Sequence, residues 1–368
     1  MKIEGIELIR VTMPLRNTFR TSFGTVHERD LLLVRVVTPA AEGWGECVAF
    51  GTPMYSSEYV AGAAEVLERF LGPRLLERGE VRAEEVAELL APVRGHRMAK
   101  GALETAVLDA QLRARDESLG DYLGATRNRV PAGVSVGILD SVPELLDVVG
   151  GYLAEGYLRI KLKIAPGWDV EPVRAVRERF GDDILLQVDA NAAYTLADAR
   201  HLARLDDFGL LLVEQPLAEE QLRQHAELAR LIRTPICLDE SIVSAQGAAD
   251  ALALGACRIV NIKPGRVGGY LEARRVHDVC RAHGVAVWCG GMLETGIGRA
   301  ANVALAGLPG FTVPGDTSGS ARYYEHDLTE PFVLRDGHLD LPTGPGIGVT
   351  PDAAALAART VASTWLTA

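Results

Sequence analysis

The 368-residue chain is short of cysteine, of aromatic residues and of long uncharged runs, and each shortage argues against a class of protein. Its five cysteines (Cys47, Cys237, Cys257, Cys280, Cys289) are scattered, odd in number and never spaced as C-x-x-C. That pattern argues against a disulfide framework or a cysteine metal site, and predicts small buried thiols in a reducing compartment. No uncharged stretch reaches membrane-spanning length. The opening residues MKIEGIELIR carry Lys2, Glu4 and Glu7 where a signal peptide needs an apolar core. Basic charge is also in deficit: 38 basic against 49 acidic residues give −11, with no basic stripe for a phosphate backbone. The eight histidines show no ligand spacing. A soluble, cytoplasmic protein with neither nucleic-acid nor membrane partners is expected.

What is present reads as an ordinary globular chain, 48% hydrophobic and 24% charged. Its length predicts two domains, or one barrel with an appendage. The first part reads as strands and then helices. LLLVRVVT (31–38) and GWGECVAF (43–50) look like paired strands, and NTFRTSFGT (17–25) and GTPMYSSEY (51–59) like loops. A helical pattern then runs from about Ala61 to Leu119, so residues 1–128 are expected to form an α+β domain. From about Ala132, short apolar runs alternate with amphipathic segments: GVSVGI, RIKLKI, ILLQVDAN, LLLVEQP, ICLDES, IVNIKPG, VAVWCGG. This rhythm predicts a parallel sheet covered by helices, and its number of units fits a closed (β/α) barrel over 129–328. The alternation is lost in 329–368, which is expected to return to the first domain.

Three of these runs end in an acid, Asp189, Glu214 and Asp239, spaced 25 residues apart each time. Equal offsets on consecutive strands bring three carboxylates to the C-terminal mouth of a barrel, where barrel enzymes carry their sites. Three unpaired carboxylates repel, and a hard divalent cation such as Mg²⁺ (or Mn²⁺ or Co²⁺) relieves this with oxygen ligands. Any one of them alone would pass for a helix cap. The next strand ends in Lys263, and the strand before carries Lys161 and Lys163. The predicted order across the mouth is lysine, metal, lysine. A neighbouring ammonium or a metal is expected to lower a lysine's pKa toward working pH, so that Lys163 moves a proton while Lys161 meets an anionic substrate group.

The set K-x-K, D-x-N, E-Q-P, D-E-S and N-I-K-P-G resembles the enolase superfamily, in its muconate-lactonizing-enzyme subgroup. GGYLEARRVHDVC and WCGGMLETGIGRAANVALA are similar to the branch that holds o-succinylbenzoate synthases and N-acylamino acid racemases. The resemblance covers essentially the whole chain. It implies an α/β fold: a (β/α)7β modified TIM barrel under an α+β capping domain built from the N-terminal part and the C-terminal tail. It also implies Asp189, Glu214 and Asp239 as Mg²⁺ ligands, Lys163 and Lys263 as the acid/base pair, and Lys161 on the substrate carboxylate. Asn191 and Glu240 are expected beside them. The implied chemistry removes a proton α to a carboxylate and forms an enediolate.

Other positions follow less directly. Ser135 on the first barrel strand is a hydrogen-bonding candidate toward substrate. The slender turn GGMLETGIG lets backbone approach a ligand at Gly291, Met292 and Leu293, and it lacks the G-x-G-x-x-G spacing of a dinucleotide site. Phe19, Phe50, Met54, Tyr55 and Tyr323 are candidates for a substrate side-chain pocket. A small carboxylate substrate and a homo-oligomer are expected. Racemisation of N-acylamino acids, N-succinyl preferred, heads the functional readings. The syn-dehydration to o-succinylbenzoate in menaquinone biosynthesis is the alternative, alone or as a second activity. Lys263 stands where mandelate-racemase-like members use histidine. Asp316 followed by Ser318 departs from the paired aspartates of dipeptide epimerases, and muconate cycloisomerases match ETGIGRA less well. A non-catalytic binding barrel would be favoured by loss of a lysine or an acid, and none is lost.

Overall fold

The computed structural model describes residues 1–367. Three N-terminal strands, β1 (Gly5–Thr21), β2 (Gly24–Val37) and β3 (Glu42–Cys47), form an antiparallel sheet. The segment 17–25, expected as a loop, is the tip of the β1–β2 hairpin, with Phe19 opposite Val26 and Thr21 opposite Gly24. Polar residues hid this from the sequence, because the tip projects beyond the sheet's own core. The helix Arg97–Arg113 packs across the sheet. Its alanines face two glycines of β3: a Cβ on Gly43 would stand 2.1 Å from the Ala106 carbonyl oxygen, and one on Gly45 2.0 Å from that of Ala102. Only glycine allows this approach, which explains the alanine-rich helix and its near-complete burial.

Seven parallel strands follow in unbroken spatial order. After the short β4 (Arg129–Pro131) come β5 (Gly133–Val136), β6 (Arg159–Lys163), β7 (Leu185–Asp189) and β8 (Val213–Glu214). The sheet continues with β9 (Ile236–Leu238), β10 (Ile259–Ile262) and β11 (Ala286–Cys289). An irregular eighth segment joins its two edges. Phe311 bridges to Val287 and Gly315 to Ala132, both in parallel sense. The Gly133 amide donates to the Gly315 carbonyl at 2.7 Å, and the Asp316 amide to the Cys289 carbonyl at 2.9 Å. The result is the (β/α)7β barrel.

The tail does not stay with the barrel. After β12 (His338–Asp340), which pairs with β4, β13 (Thr360–Leu366) adds to the free edge of β1. Long-range carboxylates bind the layers together. Glu104 of the Arg97–Arg113 helix accepts from the amides of Tyr270 and Leu271, each at 3.0 Å. Glu46 of β3 accepts from the Thr295 hydroxyl at 2.7 Å and the Gly298 amide at 3.0 Å. Both acids thus satisfy the free amides at the start of barrel helices. No helix among the described residues is long and apolar enough to cross a membrane.

Candidate active site

The pleat of β6 answers why two lysines sit in an apolar strand. Lys161 and Lys163 are both buried and point into the barrel, where acids of the neighbouring strands meet them. Parallel pairing puts Lys163 level with Asp189, and Asp189 level with Glu214. Asp239 and Lys263 follow directly on β9 and β10. All three acids are fully buried. Because β7, β8 and β9 lie between β6 and β10, the lysines approach the carboxylates from opposite sides.

Each ammonium has its own partners. Lys163 Nζ donates to Asp189 Oδ2 at 2.6 Å and to Asn191 Oδ1 at 2.7 Å. Asn191 in turn donates to Glu240 Oε1 at 2.9 Å. Lys263 Nζ donates to Asp239 Oδ2 at 2.8 Å and to the Tyr55 hydroxyl at 3.0 Å. Lys161 Nζ donates to Glu214 Oε2 at 3.0 Å and to Asp316 Oδ2 at 2.6 Å.

These contacts bias the charges of Lys263, Lys161 and the acids. For Lys263, burial is the largest single influence and favours the neutral amine. Asp239, Tyr55 and Glu240 together outweigh it and hold the ammonium well above the ordinary lysine range. Lys161 is raised in the same way, with Asp316, Glu214 and Asp189 outweighing burial. For these two lysines the nearest charges are carboxylates, which lie closer than the other amines and favour the ammonium form. Asp189 resists burial because Lys163 and Lys161 hold it ionised, below the usual carboxylate range. Glu214 goes the other way, pushed up by burial and by Asp189. Glu240 is raised to about 7, by burial first and then by Asp239 and Asp189.

A metal has to be judged against this arrangement. Among the described residues no three His, Cys, Asp or Glu side chains stand ready-made around an ion, since lysines are interleaved with the acids. The donor set is nevertheless all oxygen, as a hard dication requires. Asp239 Oδ1 and Glu240 Oε2 are buried with no hydrogen-bond donor. Arg266 lies 2.7 Å from that Asp239 oxygen but off the line a hydrogen bond needs. The residues fit a small divalent cation.

The cavity above the acids is lined by Lys161, Lys163, Lys263, Asn191 and Ser135, and by Gly291, Met292 and Leu293 from the turn after β11. The hydroxyl of Ser135 has no partner. Leu293 holds a left-handed φ of 60°, and its carbonyl accepts from the Tyr324 hydroxyl at 2.5 Å. Phe19, Phe50, Tyr55 and Tyr323 complete the wall. Met54 does not join them: it is 64% exposed, because the 51–59 loop turns Tyr55 inward and leaves its neighbour outside. Sequence reasoning missed Phe23, which packs on Tyr55 at 5.6 Å between ring centres, and also Thr21, Val26 and Asp316. The hairpin-tip residues among them were legible only if 17–25 had been read as paired strands.

A strand-end acid triad flanked by two buried lysines inside such a barrel defines a family. The chain belongs to the mandelate racemase/muconate lactonizing enzyme family of the enolase superfamily. The family model "Mandelate racemase / muconate lactonizing enzyme, N-terminal domain" matches residues 4–124, and "Enolase C-terminal domain-like" matches 144–355. The chain is 69% identical over 366 residues to an N-succinylamino acid racemase of Amycolatopsis, covering 100% of both chains. It is 49% identical to an o-succinylbenzoate synthase of Geobacillus kaustophilus, covering 96% of this chain and 94% of that protein. The structure of an enolase-superfamily member from Listeria innocua superposes with a TM-score of 0.95 at 38% identity, covering 100% and 99% of the two chains.

Proposed function

We propose that this chain racemises N-acylamino acids, N-succinyl derivatives before others, taking the α-proton from one face and returning one to the other. The observation that carries this reading is the pair of buried lysines, Lys163 on Asp189 and Lys263 on Asp239, facing one cavity from two sides. With Asp189 and Asp239 engaged by the cation, one of the two lysines would stand as the neutral amine. Lys163 Nζ then takes the α-proton of one enantiomer while the Lys263 ammonium returns a proton to the opposite face, and for the other enantiomer the roles reverse. Asn191 and Tyr55 fix where those nitrogens stand, and Glu240 holds Asn191. Lys161 receives the substrate carboxylate. Asp189, Glu214 and Asp239 would hold Mg²⁺, or Mn²⁺ or Co²⁺ in its place. When bound, the cation supplies positive charge against the negative charge that develops as the proton leaves. Ser135 and the turn 291–293 hold the acyl arm, while Phe19, Phe23, Phe50 and Tyr55 keep water from the reacting carbon.

A second reading, o-succinylbenzoate synthase activity, is supported by the full-length relative of that name. It needs one lysine as acid/base and the other only as a cation. Steady-state kinetics of N-succinylphenylalanine and of the o-succinylbenzoate precursor separate the two readings. Racemisation at least as efficient as dehydration is expected. Efficient dehydration with no detectable racemisation would reverse the order. We further propose a capping domain of residues 1–128 and 329–368 over a barrel of 129–328. The five buried unpaired cysteines support a cytoplasmic setting. The partner is a small-molecule carboxylate, and the protein acts as a homo-oligomer.

A further inference from the structure

Three buried arginines stand behind the aromatic wall of the cavity. Arg29, Arg299 and Arg322 are 1%, 2% and 8% exposed. Among the described residues none of the three is paired with a carboxylate, and their side chains donate only to backbone carbonyls. Arg29 donates to Ala49 and Val48, Arg299 to Ser318 and Glu294, and Arg322 to Ser135 at 2.8 Å. The Nε of each has no partner. Their planes rest instead on rings that face the cavity. Arg29 lies 4.4 Å from the Phe50 ring centre, while Arg322 at 4.9 Å and Arg299 at 5.4 Å share Tyr323. Arg322 also lies 5.7 Å from Phe19.

A buried guanidinium is normally matched by a nearby acid, as Arg159 is by Asp316. Ring faces and carbonyls offset the charge only in part. Arg322 is therefore a nearly uncompensated cation one side chain behind the cavity wall, next to a serine whose own hydroxyl is unpartnered. Asp316, the acid on the same wall, does not cancel it, because Lys161 and Arg159 already engage both its oxygens. The low dielectric of the packed wall lets this charge reach into the cavity with little screening by salt.

We propose that Arg322, reinforced by Arg299, determines acyl-group specificity: it makes the Ser135–Tyr323 side of the cavity select an N-acyl arm that ends in a carboxylate. Arg322 acts through the wall, as a positioning charge, and does not touch the reacting carbon. The inference rests on the N-acylamino acid reading for the orientation of the substrate, and deepens it by naming what recognises the far end.

The test titrates Mg²⁺-loaded enzyme by calorimetry with N-succinyl-L-phenylalanine, with its neutral terminal amide and with N-acetyl-L-phenylalanine. α-Proton exchange in D₂O is followed on the same samples. Wild type should bind the succinyl compound about tenfold tighter than the amide. Arg322→Met and Arg322→Gln should erase that difference and leave the amide and acetyl affinities within about twofold. Arg322→Lys, which keeps the charge, should retain the preference. Wild-type enzyme that does not discriminate acid from amide would overturn the proposal, and that arm needs no variant to fold. An equal loss for all three ligands in the neutral variants, or an unchanged preference, would also overturn it. Discrimination without proton exchange would defeat the racemase reading alone, and exchange without discrimination would defeat the arginine inference alone.

Discussion

Lys161 donates to Asp316 at 2.6 Å with both side chains buried, so the lysine offered to the substrate is held from behind by an acid 155 residues away. Asp316 also takes Arg159 at 2.9 Å, and both cations lie over Trp288. One carboxylate thus keeps two buried cations in place at the seam where the eighth segment closes the barrel.

Removing that carboxylate should be costly. Asp316→Asn leaves Arg159 without an acid and Lys161 with only the metal-site carboxylates, so a loss of about 3–5 kcal/mol is expected in urea unfolding at neutral pH. Burial opposes ionisation of Asp316, but Lys161 and Arg159 outweigh it and hold the carboxyl below the usual range. A depressed carboxylate contributes stability above its unfolded value and loses it as pH falls. The difference between wild type and variant should therefore shrink in acid. A loss under about 1 kcal/mol at neutral pH would mean that the pair contributes little.

Glu46 gives the opposite pH dependence. It is fully buried against Thr295 and Gly298, and burial is the main reason its carboxyl rises from 4.5 to about 7. A raised carboxyl contributes stability that is complete below about 4.5 and is lost as pH climbs through about 7. Glu46→Gln should remove this trend. The stability of wild type relative to the variant should fall by on the order of 2 kcal/mol across that window. Parallel urea-unfolding curves for the two proteins from pH 4.5 to 7 would contradict this assignment.

The metal assignment predicts that exhaustive chelation abolishes activity and that Mg²⁺ or Mn²⁺ restores it. Added cation should also raise the melting temperature of wild type, because it binds only the folded arrangement of acids. Asp239→Asn should lose both responses. Full activity after chelation would dismiss the assignment.

How much of this could be read beforehand depended on sequence distance. Asp189, Glu214, Asp239 and Lys263 were legible because each ends a strand of one repeating β/α unit, so even spacing gave their register. Asp316, Glu46 and Arg322 were not, since they meet the site from segments 155, 249 and 187 residues away from their partners. No periodicity encodes such contacts. The capping loops failed for a different reason. Strand pairing at Phe19–Val26 is held by docking onto the barrel, where Ser22 donates to the Ala190 carbonyl at 3.0 Å. Local pattern could not reveal that, nor that Tyr55 turns inward while Met54 stays out.

The central claim is that Lys163 and Lys263 exchange protons on opposite faces of one substrate carbon. Its most direct measurement is α-proton exchange of both enantiomers of N-succinylphenylalanine in D₂O, by proton NMR, with wild type, Lys163→Ala and Lys263→Ala. Wild type should exchange and interconvert both enantiomers. Each variant should fail to racemise, and any exchange it retains should be confined to one enantiomer, opposite in the two variants. Exchange of both enantiomers at wild-type rates in both variants would contradict the two-lysine account.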